Sequence, residues 1–94
     1  MDKLNSIRAF TKVVQHSSFA AAARDLRLSR SAVSKYVMEL EEALGVQLLS
    51  RTTRSVTATE NGQAYYERCL AILSDLEEAD LAATRLQEIG RAHV

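Results

Sequence analysis

The 94-residue sequence has a single cysteine, Cys69, so an internal disulfide framework is excluded. Its three glycines lie far apart, at positions 45, 62 and 90, so no glycine-rich loop is available to bind a phosphate. No apolar run approaches the roughly 18 residues of a membrane-spanning helix, and no signal peptide opens the chain. We therefore expect a cytoplasmic protein.

Patterns that indicate catalysis or metal binding are also lacking. His16 has no second ligand at helical spacing, so we interpret it as a surface residue near a helix end. The acidic residues between positions 75 and 80 do not have the spacing of a calcium loop and are interpreted as a solvated flank. Without a nucleophile and base or a metal cluster, the sequence predicts neither an enzyme nor a bound cofactor.

The formal net charge of zero hides an uneven distribution along the chain. Residues 1–59 carry nine Lys and Arg against five Asp and Glu, whereas residues 60–94 carry three Arg against seven Asp and Glu. A basic first part followed by an acidic helix is more informative than the neutral sum, although two ordinary solvated surfaces would also produce it.

One sharply bounded amphipathic helix is predicted over residues 28–44. Ser29 is suited to cap its start, and Gly45 is suited to the left-handed position after its end. Spacings of four, three and four predict one buried face, formed by Val33, Val37, Leu40 and Leu44. At about 100° per residue, hydroxyl and basic side chains concentrate in the first two turns away from that face, namely Arg30, Ser31, Ser34 and Lys35. Such a helix suits insertion into a DNA major groove.

Two shorter helices are predicted before this one. The first spans residues 4–15 and has an apolar stripe. The second spans residues 19–26, is capped by Ser18, and contains four successive alanines that permit the close approach of another helix. Arg24 and Arg27 point away from the core and could reach phosphates. A short helix, a tight turn and a polar-tipped helix form a helix-turn-helix, here without the glycine that such turns often contain.

A β-hairpin is predicted after the third helix. Residues 46–50 and 55–58 have the composition of strands, and residues 51–54 form a polar tip with two cations. Because two strands alone are only marginally stable, this hairpin must pack on the helices as a wing. We expect Arg51 and Arg54 to contact phosphates or the minor groove rather than to be plain surface charges.

Thr59 is predicted to cap a last helix that runs from residue 60 to about residue 89, a length of about 45 Å. Tyr66, Leu70 and Leu73 form an apolar strip that we expect to pack on the winged domain. A second set of residues recurs with heptad spacing and is called the seam: Tyr65, Cys69, Ile72, Leu76, Ala79, Ala83 and Leu86. Another chain must cover the seam, unless the helix folds back on its own domain.

The predicted fold is therefore mainly α: a winged helix-turn-helix of three helices and a two-stranded wing, followed by a long dimerisation helix. The winged domain covers residues 1–59 and the linker helix covers residues 60–89. Gly90 is expected to break that helix, and residues 90–94 to turn extended as the start of a further, missing domain.

Several stretches together resemble the N-terminal DNA-binding domain of the LysR-type transcriptional regulators. They are IRAFTKVVQHSSFAAAARDLRLS, SAVSKYVMELEEALGVQLLSRTTRSVTATENG and the long helix that follows, so the resemblance covers residues 4–89. It implies a bacterial regulator that reads an interrupted inverted repeat in double-stranded DNA as a homodimer with antiparallel linker helices. It also implies a small-molecule effector on a C-terminal domain that this sequence lacks, and it allows tetramers of the full-length protein.

The resemblance also implies which residues contact DNA. Carried over by position, the contacts from the third helix are Arg30, Ser31, Ser34 and Lys35, and those from the wing are Arg51 and Arg54. The family often has Gln-Pro where this chain has Arg30 and Ser31, and arginine favours guanine or a phosphate whereas glutamine favours adenine. The family's second helix often begins with Thr-Arg after its phenylalanine, where this chain has Ala20 and Ala21.

A protein-interaction module is the competing function. In that case the last helix would dimerise and the small domain would bind another protein, which requires no basic tip on the third helix. Failure to bind DNA at low salt would favour it.

Overall fold

The computed structural model describes residues 1–52 and 54–92 of the chain. The elements are the helices α1 (Lys3–His16), α2 (Phe19–Leu26) and α3 (Arg30–Leu44), the strands β1 (Leu49–Arg51) and β2 (Val56–Ala58), and the helix α4 (Glu60–Ala92). This order confirms the predicted winged helix-turn-helix followed by a long helix.

The helix starts follow from local hydrogen bonds. The hydroxyls of Ser18 and Ser29 each accept from the backbone N–H three residues further on, at 3.1 Å, and the hydroxyl of Thr59 does the same at 2.9 Å. Gly45 ends α3 with a φ of 70°, as predicted. In the turn between α2 and α3, Arg27 has a φ of 57°, a conformation that costs a residue with a Cβ about 1–2 kcal/mol.

The first three helices enclose one apolar core with the base of the wing. The alanines of α2 let that helix approach its neighbours closely, because they add little bulk. The core consists of Ile7, Ala9, Phe10, Val13, Phe19, Ala22, Ala23, Val33, Val37, Leu40, Leu48, Leu49 and Cys69. It holds α3 firmly along one face and leaves the opposite face free.

The two strands form an antiparallel hairpin in which Leu49 pairs with Ala58 and Arg51 pairs with Val56. The first strand was expected over residues 46–50, and this prediction is wrong in its bounds. The strand begins at Leu49 and includes Arg51, which therefore lies in the ladder and not at the tip of the wing.

The strand starts late because the backbone of Leu48 is bonded elsewhere. Its N–H donates to the carboxylate of Glu41 at 2.8 Å, and its carbonyl accepts from the N–H of Thr59 at 3.0 Å. Gly62 lies so close that an added Cβ would overlap the Leu48 carbonyl. This junction joins α3, the wing and the start of α4.

The last helix, α4, has 33 residues and so extends over about 50 Å. Its first turns pack on the winged domain: the ring of Tyr65 lies 5.8 Å from that of Phe10, and Cys69 is fully buried. Beyond Leu76, every described side chain of α4 is exposed. No helix in the described part of the chain combines the length and the apolar character needed to cross a bilayer.

The predicted break at Gly90 is wrong, because α4 continues through this glycine to Ala92. One glycine inside a helix costs about 1 kcal/mol relative to alanine and does not by itself end it. His93 and Val94 lie outside the described residues, and the assignment of the last residues to a further domain stays a prediction.

Candidate nucleic-acid interface

The outward face of α3 presents the residues predicted to bind DNA. Arg30, Ser31 and Lys35 are exposed, and Ser34 is half-buried. On the other side of the same helix, Leu40 is fully buried together with two valines. The orientation of this polar surface is therefore set by the core, and its side chains remain available to a partner.

A cleft of about 330 Å³ lies between the start of α2, the start of α3 and the wing. Arg30 contributes to it from α3 and Arg54 from the wing, beside the first residues of α2. The two guanidinium groups each carry a positive charge, and the backbone N–H groups at the start of α2 add a partial positive charge. The cleft suits an anion such as a DNA phosphate. Its cations come from α3 and the wing, whereas Ala20 of α2 contributes none.

Arg54 is held at the wing tip by a local turn. The hydroxyl of Thr52 accepts from the N–H of Arg54 at 3.3 Å and from the N–H of Ser55 at 3.0 Å. The N–H of Thr52 in turn donates to the carbonyl of Ser55 at 2.9 Å. With its backbone N–H bonded in this way, the side chain of Arg54 remains exposed.

Arg51 was predicted to act together with Arg54, but the structure separates the two. The guanidinium of Arg51 lies 3.6 Å from a carboxylate oxygen of Glu41 and 4.9 Å from the centre of the Phe19 ring. It is thus directed toward the helices of its own chain.

Arg24 and Arg27 are exposed, as expected, at the end of α2 and in the following turn. Between them, Asp25 is within 2.9 Å of His16 and 3.2 Å of Lys12. Two hydrogen bonds lower the pKa of the Asp25 carboxyl: the one from His16 has the larger effect, and the one from Lys12 the next. His16 is an exposed residue of this cluster, which joins α1 to α2.

The seam on α4 is divided between two environments. Cys69 was predicted to contact a partner chain, and this is wrong, because the residue is fully buried in its own domain, where burial also raises the pKa of its thiol. Tyr65 is half-buried beside it. The physical reason is that the seam and the domain-facing strip lie only about a quarter turn apart on the helix.

From Ile72 onward, the seam is largely uncovered. Ile72 is 49% exposed, Leu76 is half-buried, and Ala79 and Ala83 are exposed, whereas the side chain of Leu86 lies outside the described residues. In the domain-facing strip, Tyr66 and Leu73 pack against the core as expected, but Leu70 is exposed.

Sequence reasoning missed the role of Glu41, which it grouped with the acidic residues in the second half of α3. The side chain is only 18% exposed, and one of its oxygens accepts from the N–H groups of Leu48 and Leu49, at 2.8 and 3.2 Å. The available signal was position: four residues after Val37, Glu41 lies at the edge of the buried face.

Comparison with known proteins agrees with this geometry. The model of the bacterial regulatory helix-turn-helix proteins of the lysR family matches residues 4–63. The chain belongs to the LysR family. An uncharacterized HTH-type transcriptional regulator of Haemophilus influenzae is 50% identical over 86 residues, which are 92% of this chain and 30% of that protein. The transcriptional activator AaeR of Escherichia coli K12 is 44% identical over 78 residues, 83% of this chain and 25% of its own length.

Solved structures of LysR-type DNA-binding domains have the same fold. The BenM DNA-binding domain in complex with benA site 1 DNA has a TM-score of 0.84 and 34% identity, over 88% of this chain and 93% of that one. The CbnR DNA-binding domain in complex with DNA has a TM-score of 0.80 and 29% identity, over 85% and 92%. The present chain is a LysR-type winged helix-turn-helix DNA-binding domain with its long helix, and it spans under a third of the length of the two relatives named above.

Proposed function

We propose that this chain binds double-stranded DNA as a homodimer and supplies the DNA-binding part of a transcriptional regulator. Each copy inserts the start of α3 into a major groove and reads one half of an interrupted inverted repeat. The observation that carries this proposal is the exposed polar start of α3, on a helix whose opposite face buries Val33, Val37 and Leu40 and partly buries Leu44. The proposed DNA contacts are Arg24, Arg30, Ser31, Ser34, Lys35 and Arg54.

We assign Arg30 and Arg54 to contacts with the phosphate backbone of the DNA at the edge of that groove. The cleft between them is wide enough for a phosphate and offers two cations together with the start of α2. Most of the affinity should then come from phosphate contacts, so binding should weaken steeply as salt is added. Lys35, five residues further along α3 than Arg30, is assigned to the base edges.

The homodimer is proposed to form through the uncovered part of the seam. Ile72 supplies an apolar contact, and Ala79 and Ala83 allow the backbones of two antiparallel α4 helices to approach closely. The support is that these side chains are exposed in a single chain although their heptad spacing is that of a helix–helix interface.

In a protein of the relatives' length, we propose that a small-molecule effector binds a C-terminal domain outside these 94 residues. We further propose that such a protein acts in the cytoplasm and can assemble into tetramers. No enzymatic step is part of this function.

The test is DNA binding by the wild-type chain and two variants. The probe is the DNA sequence that the wild-type chain selects from a random pool. Lys35→Ala should weaken binding by about 1–3 kcal/mol and relax sequence preference at one position in each half-site. Arg85→Ala is the matched control, because Arg85 is an exposed cation on the outer part of α4. This variant should bind nearly as the wild type does.

If all three proteins bind the DNA with equal affinity, α3 is not the recognition helix. Absence of any DNA complex at low salt would contradict the proposed function and favour the protein-interaction module.

A further inference from the structure

The two arginines of the wing have different surroundings, although both flank its tip. Both are exposed, and 41% of the Arg51 side chain is accessible, but Arg51 lies in β1 with its guanidinium beside Glu41 and over the ring of Phe19, whereas Arg54 follows the tip. A planar cation at 4.9 Å from a ring centre is within the range of a cation–π contact. Arg51 thus contacts both α2 and α3 from the wing.

Glu41 connects the same elements through the backbone. One carboxylate oxygen accepts from the N–H groups of Leu48 and Leu49, where the wing begins, and the other lies 3.6 Å from Arg51. Hydrogen bonds to a charged carboxylate are stronger than those between neutral groups. Since the Glu41 side chain is only 18% exposed, its charge needs a partner, and Arg51 supplies it.

We propose that Arg51 is a positioning residue and not a phosphate ligand: with Glu41 and Phe19 it sets the angle between the wing and the recognition helix, and so places Arg54 at the DNA. This inference rests on the proposed function. It predicts that the two wing arginines differ in what their removal does to DNA binding.

The energetics favour this assignment. If Arg51 turned toward a phosphate, the half-buried carboxylate of Glu41 would lose its neutralising partner while facing the negative charge of the DNA. The ring of Phe19 would also lose the guanidinium that covers it. Arg54 has no such cost, because its side chain is exposed and forms no ion pair with the described residues of the chain, and the bond to Thr52 involves its backbone N–H.

The decisive measurement is the dependence of the DNA-binding constant on salt for Arg51→Ala and Arg54→Ala, with the selected DNA as the probe. Each phosphate contact that is lost reduces the slope of log K against log salt by about 0.9. Arg54→Ala should show this reduction. Arg51→Ala should bind about three- to tenfold more weakly. The double variant Arg51→Ala/Arg54→Ala should have the slope of Arg54→Ala alone, because Arg51 acts on DNA binding only through Arg54. If the slope of the double variant falls by about twice the reduction seen in Arg54→Ala, Arg51 binds a phosphate itself and the proposal is overturned.

The second arm uses Glu41→Gln, with Glu42→Gln as the matched control. Glu42 is the exposed neighbour, so its substitution reports the general effect of removing one negative charge near DNA. Glu42→Gln should bind DNA slightly more tightly than the wild type, whereas Glu41→Gln should bind more weakly. The double variant Glu41→Gln/Arg51→Ala should lose little more than either single variant. Tighter binding by Glu41→Gln than by Glu42→Gln would mean that a released Arg51 binds phosphate, which contradicts the proposal.

A DNA-independent measurement separates this inference from the proposed function. In hydrogen exchange, the amides of Leu48 and Leu49 should lose protection in Glu41→Gln but not in Glu42→Gln. Equal protection in both variants would overturn the anchoring of the wing by Glu41. Lost protection in Glu41→Gln, together with no DNA binding by the wild type, would contradict the proposed function alone and leave the anchoring of the wing intact.

Discussion

The winged domain and the outer part of α4 are both largely helical, but different interactions maintain them. In the winged domain each helix has a buried face, and Phe10, Val37 and Leu40 have no exposed surface. Among the side chains of α4 that the structure describes, the last fully buried one is that of Cys69, and all those after Leu76 are exposed. The winged domain is stabilised by its own apolar core. The outer part of α4 is stabilised by its backbone hydrogen bonds and by any partner that packs on its seam.

One heptad pattern crosses the boundary between these two regions. Its first residues, Tyr65 and Cys69, belong to or pack against the core of their own domain, and its later described residues, from Ile72 to Ala83, do not. A continuous apolar pattern on a long helix therefore need not correspond to one interface. Its packing changes where the domain beneath the helix ends.

The two regions should differ most in the loss of unfolding free energy that follows when a leucine is replaced by alanine. Leu40→Ala removes a fully buried side chain and should lower the free energy of unfolding by about 2–5 kcal/mol, because a cavity remains in the core. Leu81→Ala, at a position that is 50% exposed on α4, should change it by less than about 0.5 kcal/mol. Urea denaturation followed by circular dichroism measures both. Similar losses in the two variants would mean that the outer helix is part of the same packed unit.

The junction between the regions is tested by alanine substitution of two glycines. Gly62→Ala forces a Cβ into the carbonyl of Leu48 and should cost about 1–3 kcal/mol, although alanine is the better helix former. At Gly45 the space is open and only the φ of 70° opposes a side chain, so Gly45→Ala should cost about 1–2 kcal/mol.

Only Gly62→Ala should also shift the amide resonances of Leu48 and Thr59, since α4 must move away from the wing. Unchanged stability and spectra of Gly62→Ala would show that this close approach does not fix the start of α4.

The smallest change in folding free energy is expected for Ile72→Glu, which lies on the uncovered part of the seam. The folded monomer should keep its stability within about 0.5 kcal/mol, because Ile72 is half exposed. Self-association should nevertheless weaken strongly, because the carboxylate would be desolvated at the proposed interface. Leu81→Glu is the control, as Leu81 has similar exposure on the opposite side of α4. Analytical ultracentrifugation should find Leu81→Glu dimeric and Ile72→Glu shifted to monomer. Two equally dimeric variants would exclude the seam as the interface.

Much of the fold could be predicted from the sequence because its signals are local. Ser18, Ser29 and Thr59 cap helices through bonds that span only three residues, and Gly45 ends α3 through its own backbone conformation. The exposed face of α3 followed from its periodicity, since a helix that buries one face must present the other. The family's sequence pattern added the arrangement of wing and linker helix.

By itself, the sequence determined the order of the elements, the limits of α2 and the outward polar start of α3, since each depends on neighbours within about one or two turns. Only the tertiary structure decided that Cys69 lies in its own core, that Glu41 holds the wing, and that Arg51 and Arg54 have different surroundings. The physical reason is distance along the chain: Arg51 meets Glu41 and Phe19 only after the whole domain has folded, and no local pattern records such contacts.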